Sequence, residues 1–69
     1  MPLIFAKPGE ENIVKRVGGA PAVKKHLEDL GFAPGARVTV ISEIAGNVIV
    51  NVKDARIAIS REMAQKIFV

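Results

Sequence analysis

The sequence contains no cysteine, no tryptophan and no tyrosine, and His26 is its only histidine. Without cysteine neither a disulfide nor a thiolate metal site can stabilise the chain, so a hydrophobic core must hold it together alone. Iron and zinc sites normally use three or four converging ligands, so this isolated imidazole indicates an exposed helix histidine rather than a metal centre. A loose surface contact of a metal ion with the carboxylates of Glu10, Glu11 or Glu62 stays open.

Long hydrophobic runs are also missing. The longest are Leu3 to Ala6 and Val48 to Val50, whereas a bilayer span needs about 20 apolar residues. We therefore expect the protein to meet a membrane only indirectly, through a partner. The segment from Pro2 to Lys7 has neither a basic leader nor a long apolar stretch, which predicts no signal peptide and a cytoplasmic location.

The chain offers little for catalysis. Its hydroxyl groups are those of Ser42, Ser60 and one threonine, and no triad can be assembled from them because a nucleophile needs a base within hydrogen-bond reach. The glycines Gly18 and Gly19 fit neither the Walker spacing nor GxGxxG, so they are interpreted as turn residues. The sequence predicts a protein that is not an enzyme and carries no cofactor.

The charge pattern argues against a nucleic-acid partner. The formal net charge is +3, and the two signs are interleaved rather than gathered in a basic stripe. Single-strand binders stack bases on exposed aromatic rings. Here Phe5, Phe32 and Phe68 all occupy core positions or element ends. A solvated charged surface is the better interpretation.

What the sequence has in abundance is β-branched residues, with nine valines and eight isoleucines against three leucines. Such side chains lose rotamer freedom in helices and pack well on pleated sheets. A chain of 69 residues has room for one core, so we predict one domain over residues 1–69, mainly β.

Strand and turn signals alternate along this domain. Short apolar or alternating segments bounded by Gly, Pro, Asn and Asp predict strands over Leu3–Ala6, Asn12–Val17, Arg37–Ile44, Val48–Lys53, Arg56–Ile59 and Ile67–Val69. The alternating valines of the fourth segment predict the main core stripe. An amphipathic helix is predicted from Pro21 to Leu30, ended by Gly31 so that Phe32 folds back onto its apolar side.

Two further local signals complete the predicted fold. The run Ala33–Ala36 has Pro and Gly in the centre of a type II turn, and Ser60 is a good N-cap for a short helical turn ending near Gln65. Open sheet edges favour aggregation, and closure removes them. We therefore predict a small SH3-like, partly open β-barrel of about five strands, with the first helix capping one end and a short C-terminal helical turn.

At this point the pattern resembles the FeoA family. The resemblance lies in the ordered set Leu27-x-x-Leu30-Gly31-Phe32-x-Pro34-Gly35-x-x-Val38-x-Val40, Val48-x-Val50 and Arg56-Ile57-Ala58-Ile59-x-x-Glu62-x-Ala64-x-x-Ile67, with Pro8-Gly9 at its opening. It covers nearly the whole chain. Two features depart from the family pattern: the reversal at Ala45-Gly46-Asn47 is short, and Asp54-Ala55 stands where a glycine is common.

The resemblance implies an accessory protein of bacterial ferrous iron transport that binds the cytoplasmic part of the FeoB permease, which carries a GTP-binding domain. It would modulate the assembly or the GTP-dependent activity of that permease. The same fold also occurs as a C-terminal domain of iron-dependent repressors, so a regulatory interaction module is the alternative. Direct delivery of Fe²⁺ by the module is a third hypothesis, and homo-oligomers formed through an exposed edge strand stay open.

The partner is expected to bind at the first helix and the turn after it. The predicted partner-binding residues combine apolar groups with a polar rim, namely Val23, Lys24, Leu27, Glu28, Leu30 and Phe32. The competing interpretation is that Val23, Leu27 and Leu30 simply fill the end of the barrel.

Overall fold

The computed structural model describes all residues from Met1 to Val69. A 3₁₀ helix over Leu3–Phe5 opens the chain, followed by strands β1 (Glu11–Ile13) and β2 (Arg16–Val17) and helix α1 (Pro21–Leu30). Strands β3 (Arg37–Ile44), β4 (Asn47–Val52) and β5 (Ala55–Ser60), helix α2 (Arg61–Gln65) and strand β6 (Ile67–Phe68) complete it. The prediction of a mainly β protein is confirmed.

The six strands form two antiparallel sheets. The larger has the order β1-β3-β4-β5, and the smaller pairs β2 with β6. The chain from β1 to β2 connects the two sheets, because β1 pairs with β3 and β2 pairs with β6. A bulge in β3 between Val40 and Ser42 shifts the register with β4, and such an extra residue bends and twists the strand.

The core lies on the inner face of the larger sheet. Val48, Val50 and Val52 are all buried, as their alternation in β4 predicts. Buried residues from both helices, from the 3₁₀ helix and from every strand except β1 pack with them, and these include Leu3, Val14, Val17, Leu27, Phe32, Val38, Ile59, Ala64 and Ile67.

Two predictions for the N-terminal region are wrong. Leu3–Ala6 is not a strand, because the N–H of Phe5 bonds to the carbonyl of Pro2 and that of Ala6 to the carbonyl of Leu3, as in a 3₁₀ helix. Asn12–Val17 is not one strand but two, since its halves pair with different partners. Because one predicted strand is absent and another is divided, the structure has six short strands, as many as the segments predicted from the sequence.

The predicted type II turn is present, and the strands of the meander reverse through short loops, the first of them one residue before the predicted Gly46-Asn47. The N–H of Ala36 bonds to the carbonyl of Ala33 at 3.0 Å, and Gly35 between them has φ +90°, as a type II turn requires. Both hairpins of the meander have two-residue loops: Ala45-Gly46 joins β3 to β4, and Lys53-Asp54 joins β4 to β5. All four loop residues have positive φ, the conformation of type I′ turns.

Candidate partner-binding surface

Helix α1 occupies the predicted residues, Pro21–Leu30. Pro21 stands at its first position, where the missing N–H costs nothing. The helix ends at Gly31, whose backbone is left-handed and whose N–H reaches the carbonyls of Leu27 and Glu28. The N–H of Phe32 then bonds to the Leu27 carbonyl at 3.0 Å. The chain folds back at this point, as the glycine predicts.

The structure separates the six predicted partner-binding residues into two groups. Leu27 and Phe32 are both 0% exposed, so they belong to the core and offer no surface to a partner. Their prediction as direct contacts is therefore corrected. Leu27 lies on the side of α1 that faces the core, and Phe32 follows the helix cap and packs into the same core, where large apolar side chains are most stable.

The other four residues remain accessible. Lys24 is exposed, while Val23, Glu28 and Leu30 are partly buried, and Val23 and Leu30 pack against the core with one side. We call Val23, Lys24, Glu28 and Leu30 the α1 surface. It combines aliphatic side chains with one charge of each sign, and the structure gives none of these charges an ion-pair partner.

The loop before α1 extends this surface. Gly19 has φ +98°, and a Cβ placed on it would lie 3.2 Å from Cδ of Lys66 and 3.7 Å from Cγ1 of Val23. The glycine thus lets the Lys66 side chain and the first turn of α1 come together. Exposed Lys24 and Lys25 follow on the helix, so this end of the molecule carries several positive charges near an aliphatic patch.

A polar cleft that the sequence analysis did not identify lies on the outer face of the larger sheet. Its volume is about 410 Å³, and it is lined by Glu11, Ala36, Arg37, Thr39, Asn51, Lys53 and Asp54. Glu11, Thr39 and Asn51 are register neighbours on β1, β3 and β4. The alternation that buries the valines also turns these polar residues outward, but only strand pairing brings them together.

The charges around this cleft are exposed. Nε of Arg37 lies 3.9 Å from Oε1 of Glu11, and both side chains are more than half exposed. Such pairs contribute little stability in water. The cleft therefore presents polar and charged groups of both signs on an open sheet face.

The carboxylates and the histidine do not converge. No three or more His, Cys, Asp or Glu side chains lie close enough to hold a metal ion. Glu11 is the first residue of β1 and Glu10 directly precedes it, Glu62 lies in α2, and His26 is exposed on α1. The structure contains no helix whose length and hydropathy would let it span a bilayer.

Comparison of this chain with known proteins identifies its family. The FeoA domain matches residues 1–69, the whole chain. The chain belongs to the FeoA family. This is a family of transport accessory proteins associated with Fe²⁺. One FeoA relative, from Methanocaldococcus jannaschii, is named Fe(2+) transport protein A; it is 41% identical over 68 residues, which cover 99% of this chain and 83% of the relative.

Solved structures of FeoA proteins have the same fold as this chain. The crystal structure of an iron uptake regulatory protein, FeoA, superposes with a TM-score of 0.88 at 28% identity, covering 97% of this chain and 91% of that one. The architecture described above is the SH3-like fold of the FeoA proteins, which confirms the predicted fold class.

A protein outside the FeoA family shares the fold alone. A manganese-dependent transcriptional repressor superposes with a TM-score of 0.87 at 24% identity. The match covers 100% of this chain but only 40% of the repressor, so one part of that larger protein has this architecture. At this identity the fold is shared and the activity is not implied.

Proposed function

We propose that this FeoA protein is a cytoplasmic accessory protein of ferrous iron transport that binds the cytoplasmic part of a FeoB-type permease. The observation that carries the proposal is full-length membership of the FeoA family, together with 41% identity to a relative named Fe(2+) transport protein A. Binding would modulate the assembly or the GTP-dependent activity of the permease.

The α1 surface is the proposed contact. It offers Val23 and Leu30 as aliphatic contacts and Lys24 and Glu28 as charges without intramolecular partners. Charges at the rim of an interface fix register and speed association more than they add affinity. The buried Leu27 and Phe32 would act only by holding α1 in place. No covalent chemistry is needed, because the output is binding energy alone.

An NMR titration tests this proposal. The ¹⁵N-labelled protein is mixed with the soluble GTP-binding domain of the permease and, separately, with the full-length permease in nanodiscs. We expect shifts in the amide signals of α1 with at least one of the two. Lys24→Glu should weaken binding about five- to tenfold through its rim charge.

The matched control is Lys7→Glu, which makes the same charge change at an exposed lysine outside the α1 surface. It should leave affinity within about twofold of the parent protein, apart from a general electrostatic effect that salt suppresses. Equal losses of affinity in both variants would mean that the contact does not lie on α1. Unchanged spectra with both forms of the permease would remove the docking proposal.

A second candidate function rests on the repressor likeness. In this role the protein is a separate regulatory module that binds a DNA-binding protein. The corresponding part of the repressor is instead joined to the rest of its own chain. The supporting observation is the fold alone, with a TM-score of 0.87. A permease gene beside this one favours the transport role, whereas an adjacent gene for a DNA-binding protein lacking this module favours the regulatory role.

A further inference from the structure

Strand β5 is an outer strand of the larger sheet. It pairs with β4 alone, and its six residues Ala55–Ser60 form a regular ladder with Asn47–Val52 without any bulge. The side of β5 away from β4 is therefore a sheet edge. Such edges present unpaired N–H and C=O groups that can pair with another strand.

The geometry of the turn between β4 and β5 determines which backbone N–H and C=O groups of β5 are unpaired. Val52 and Ala55 flank the two-residue loop Lys53-Asp54, and both loop residues have positive φ. In such a hairpin the flanking residues form a hydrogen-bonded pair, and hydrogen-bonded pairs then recur at every second residue. Ala55, Ile57 and Ile59 thus bond to β4, while the backbone groups of Arg56 and Ala58 point away from it.

Nothing else in the chain takes up these groups. None of the 14 backbone hydrogen bonds outside the helices and strands uses Arg56 or Ala58, and no side-chain hydrogen bond reaches them. Both residues are exposed, and Ile57 between them is half-buried. Proline and bulges, which commonly block sheet edges, are absent from β5, and Arg56 is its only charged residue.

We propose that β5 pairs antiparallel with β5 of a second copy of this chain, giving a weak two-fold dimer. In the proposed register Arg56 lies opposite Ala58 of the second copy, and Ala58 lies opposite Arg56 of the second copy. The N–H and C=O groups of these residues then form four backbone hydrogen bonds. The two copies of Ile57 meet at the two-fold axis as a close pair that is not hydrogen-bonded.

The alternative registers are less favourable. Placing Arg56 opposite its own copy sets two guanidinium groups face to face, which is destabilising. Placing Ala58 opposite its own copy matches Arg56 with Ser60, and Ser60 already serves as the N-cap where the chain turns into α2. The proposed register uses all four free groups on each copy and puts no like charges directly opposite. An isologous pair of this kind also closes, so it does not lead to fibres.

The salt dependence separates this dimer from an acidic peptide bound at the same edge. Each copy carries a net charge of +3, so two copies repel and salt strengthens their association by screening. An acidic peptide would be attracted by Arg56, and salt would weaken its binding. The proposal does not depend on the α1 surface or on the permease.

Sedimentation velocity of the purified protein between about 20 µM and about 1 mM tests the dimer, since weak, small interfaces are measurable in this range. We expect the weight-average sedimentation coefficient to rise with concentration, and to rise more at high salt. In NMR spectra over the same range, the amide signals of Arg56 and Ala58 should shift most.

Ala58→Pro is the decisive variant. It removes the outward N–H, which makes no bond within the monomer, and proline is tolerated on edge strands in that position. We expect association at least tenfold weaker than in the parent, while Ala58→Thr, which keeps the N–H, should associate within about threefold of it.

Ala58→Lys provides a second test that keeps the backbone, because it sets a lysine opposite Arg56 of the second copy. A protein that stays monomeric throughout the range, or proline and lysine variants that associate like the parent, would overturn the proposal.

Discussion

The guanidinium of Arg16 lies over the ring of Phe68, with its Cζ 3.9 Å from the ring centroid. The two residues are also direct register partners in the β2–β6 pair. This short sheet, with two residues in each strand, joins the end of the chain to its N-terminal part. A cation over an aromatic face is attracted by the ring quadrupole, so the contact reinforces a pairing that has few backbone bonds.

We predict that Arg16→Gln destabilises the protein by about 0.5–1 kcal/mol, the usual range of an exposed cation–π contact. Glutamine keeps much of the side-chain length but removes the charge. Urea unfolding followed by circular dichroism measures the change. Lys7→Gln removes an exposed charge that makes no cation–π contact in the structure, and it should stay within about 0.3 kcal/mol of the parent. Equal effects of the two changes would show that net charge, and not the ring contact, is responsible.

The N-cap of α2 gives the second prediction. The N–H of Met63 donates to Oγ of Ser60 at 3.2 Å, satisfying one of the free donors at the start of a five-residue helix. Ser60→Ala should therefore destabilise the protein by about 1 kcal/mol. Ser60→Asp should retain most of the stability, since its carboxylate can accept the same bond.

The other serine provides the matched control for the cap. Ser42 lies in β3 and its hydroxyl makes no hydrogen bond to another protein group. Ser42→Ala should change the free energy of unfolding by less than about 0.5 kcal/mol. A loss at Ser42 as large as that at Ser60 would contradict the assignment of the cap.

Local signals made much of this fold predictable. Helix α1 has its bounds set by Pro21 and Gly31, and the meander of β3, β4 and β5 follows from alternating valines and from short loops. The C-terminal helix follows from Ser60. In each case residues within a few positions of one another determine the backbone, so no knowledge of distant contacts is needed.

The errors arose where distant contacts decide the structure. Asn12–Val17 becomes two strands because one half meets β3 and the other meets β6. The apolar run Leu3–Ala6 fits a strand or a helical turn equally well by pattern. In the structure it winds into a 3₁₀ turn directly after Pro2, which bridges to Phe68.

The candidate surface was predictable only in part, for the same reason. Val23, Leu27 and Leu30 all have the spacing of one helix face. How far each is buried depends on how α1 sits on the barrel, and the structure buries Leu27 completely while Val23 and Leu30 stay partly accessible. The polar cleft depends on register between strands, which sequence periodicity alone does not give.

Gly31 carries the third prediction. Its φ is +116°, and an added Cβ would lie 3.3 Å from both Cγ2 of Val52 and Cδ of Lys53. Gly31→Ala should therefore destabilise the protein both by backbone strain and by crowding against β4. We expect a loss of about 2–4 kcal/mol, more than the strain of about 1–2 kcal/mol that one left-handed residue costs.

Gly46 is the control that isolates the backbone contribution. It also has positive φ, +80°, but nothing lies within 4 Å of a Cβ placed on it. Gly46→Ala should cost only the strain, about 1–2 kcal/mol. The difference between the two alanine variants in chemical denaturation then measures the crowding between Gly31 and β4, and a difference near zero would refute it.

The loop Lys53-Asp54 includes Asp54, which together with Ala55 stands where the family pattern commonly has a glycine, and it supports the last prediction. Both residues are non-glycine with φ of +50° and +60°, a conformation that side chains adopt at a cost. Type I′ turns favour Asn-Gly. The double change Lys53→Asn with Asp54→Gly should therefore stabilise the protein by about 1 kcal/mol and raise its Tm by about 4–8 °C, the usual relation for a domain of this size.

Asp54→Asn alone keeps a side chain that tolerates the left-handed region and should change the Tm little. A lower Tm in the double variant would mean that contacts of the Lys53 side chain with the chain around Gly31 outweigh the relief of backbone strain.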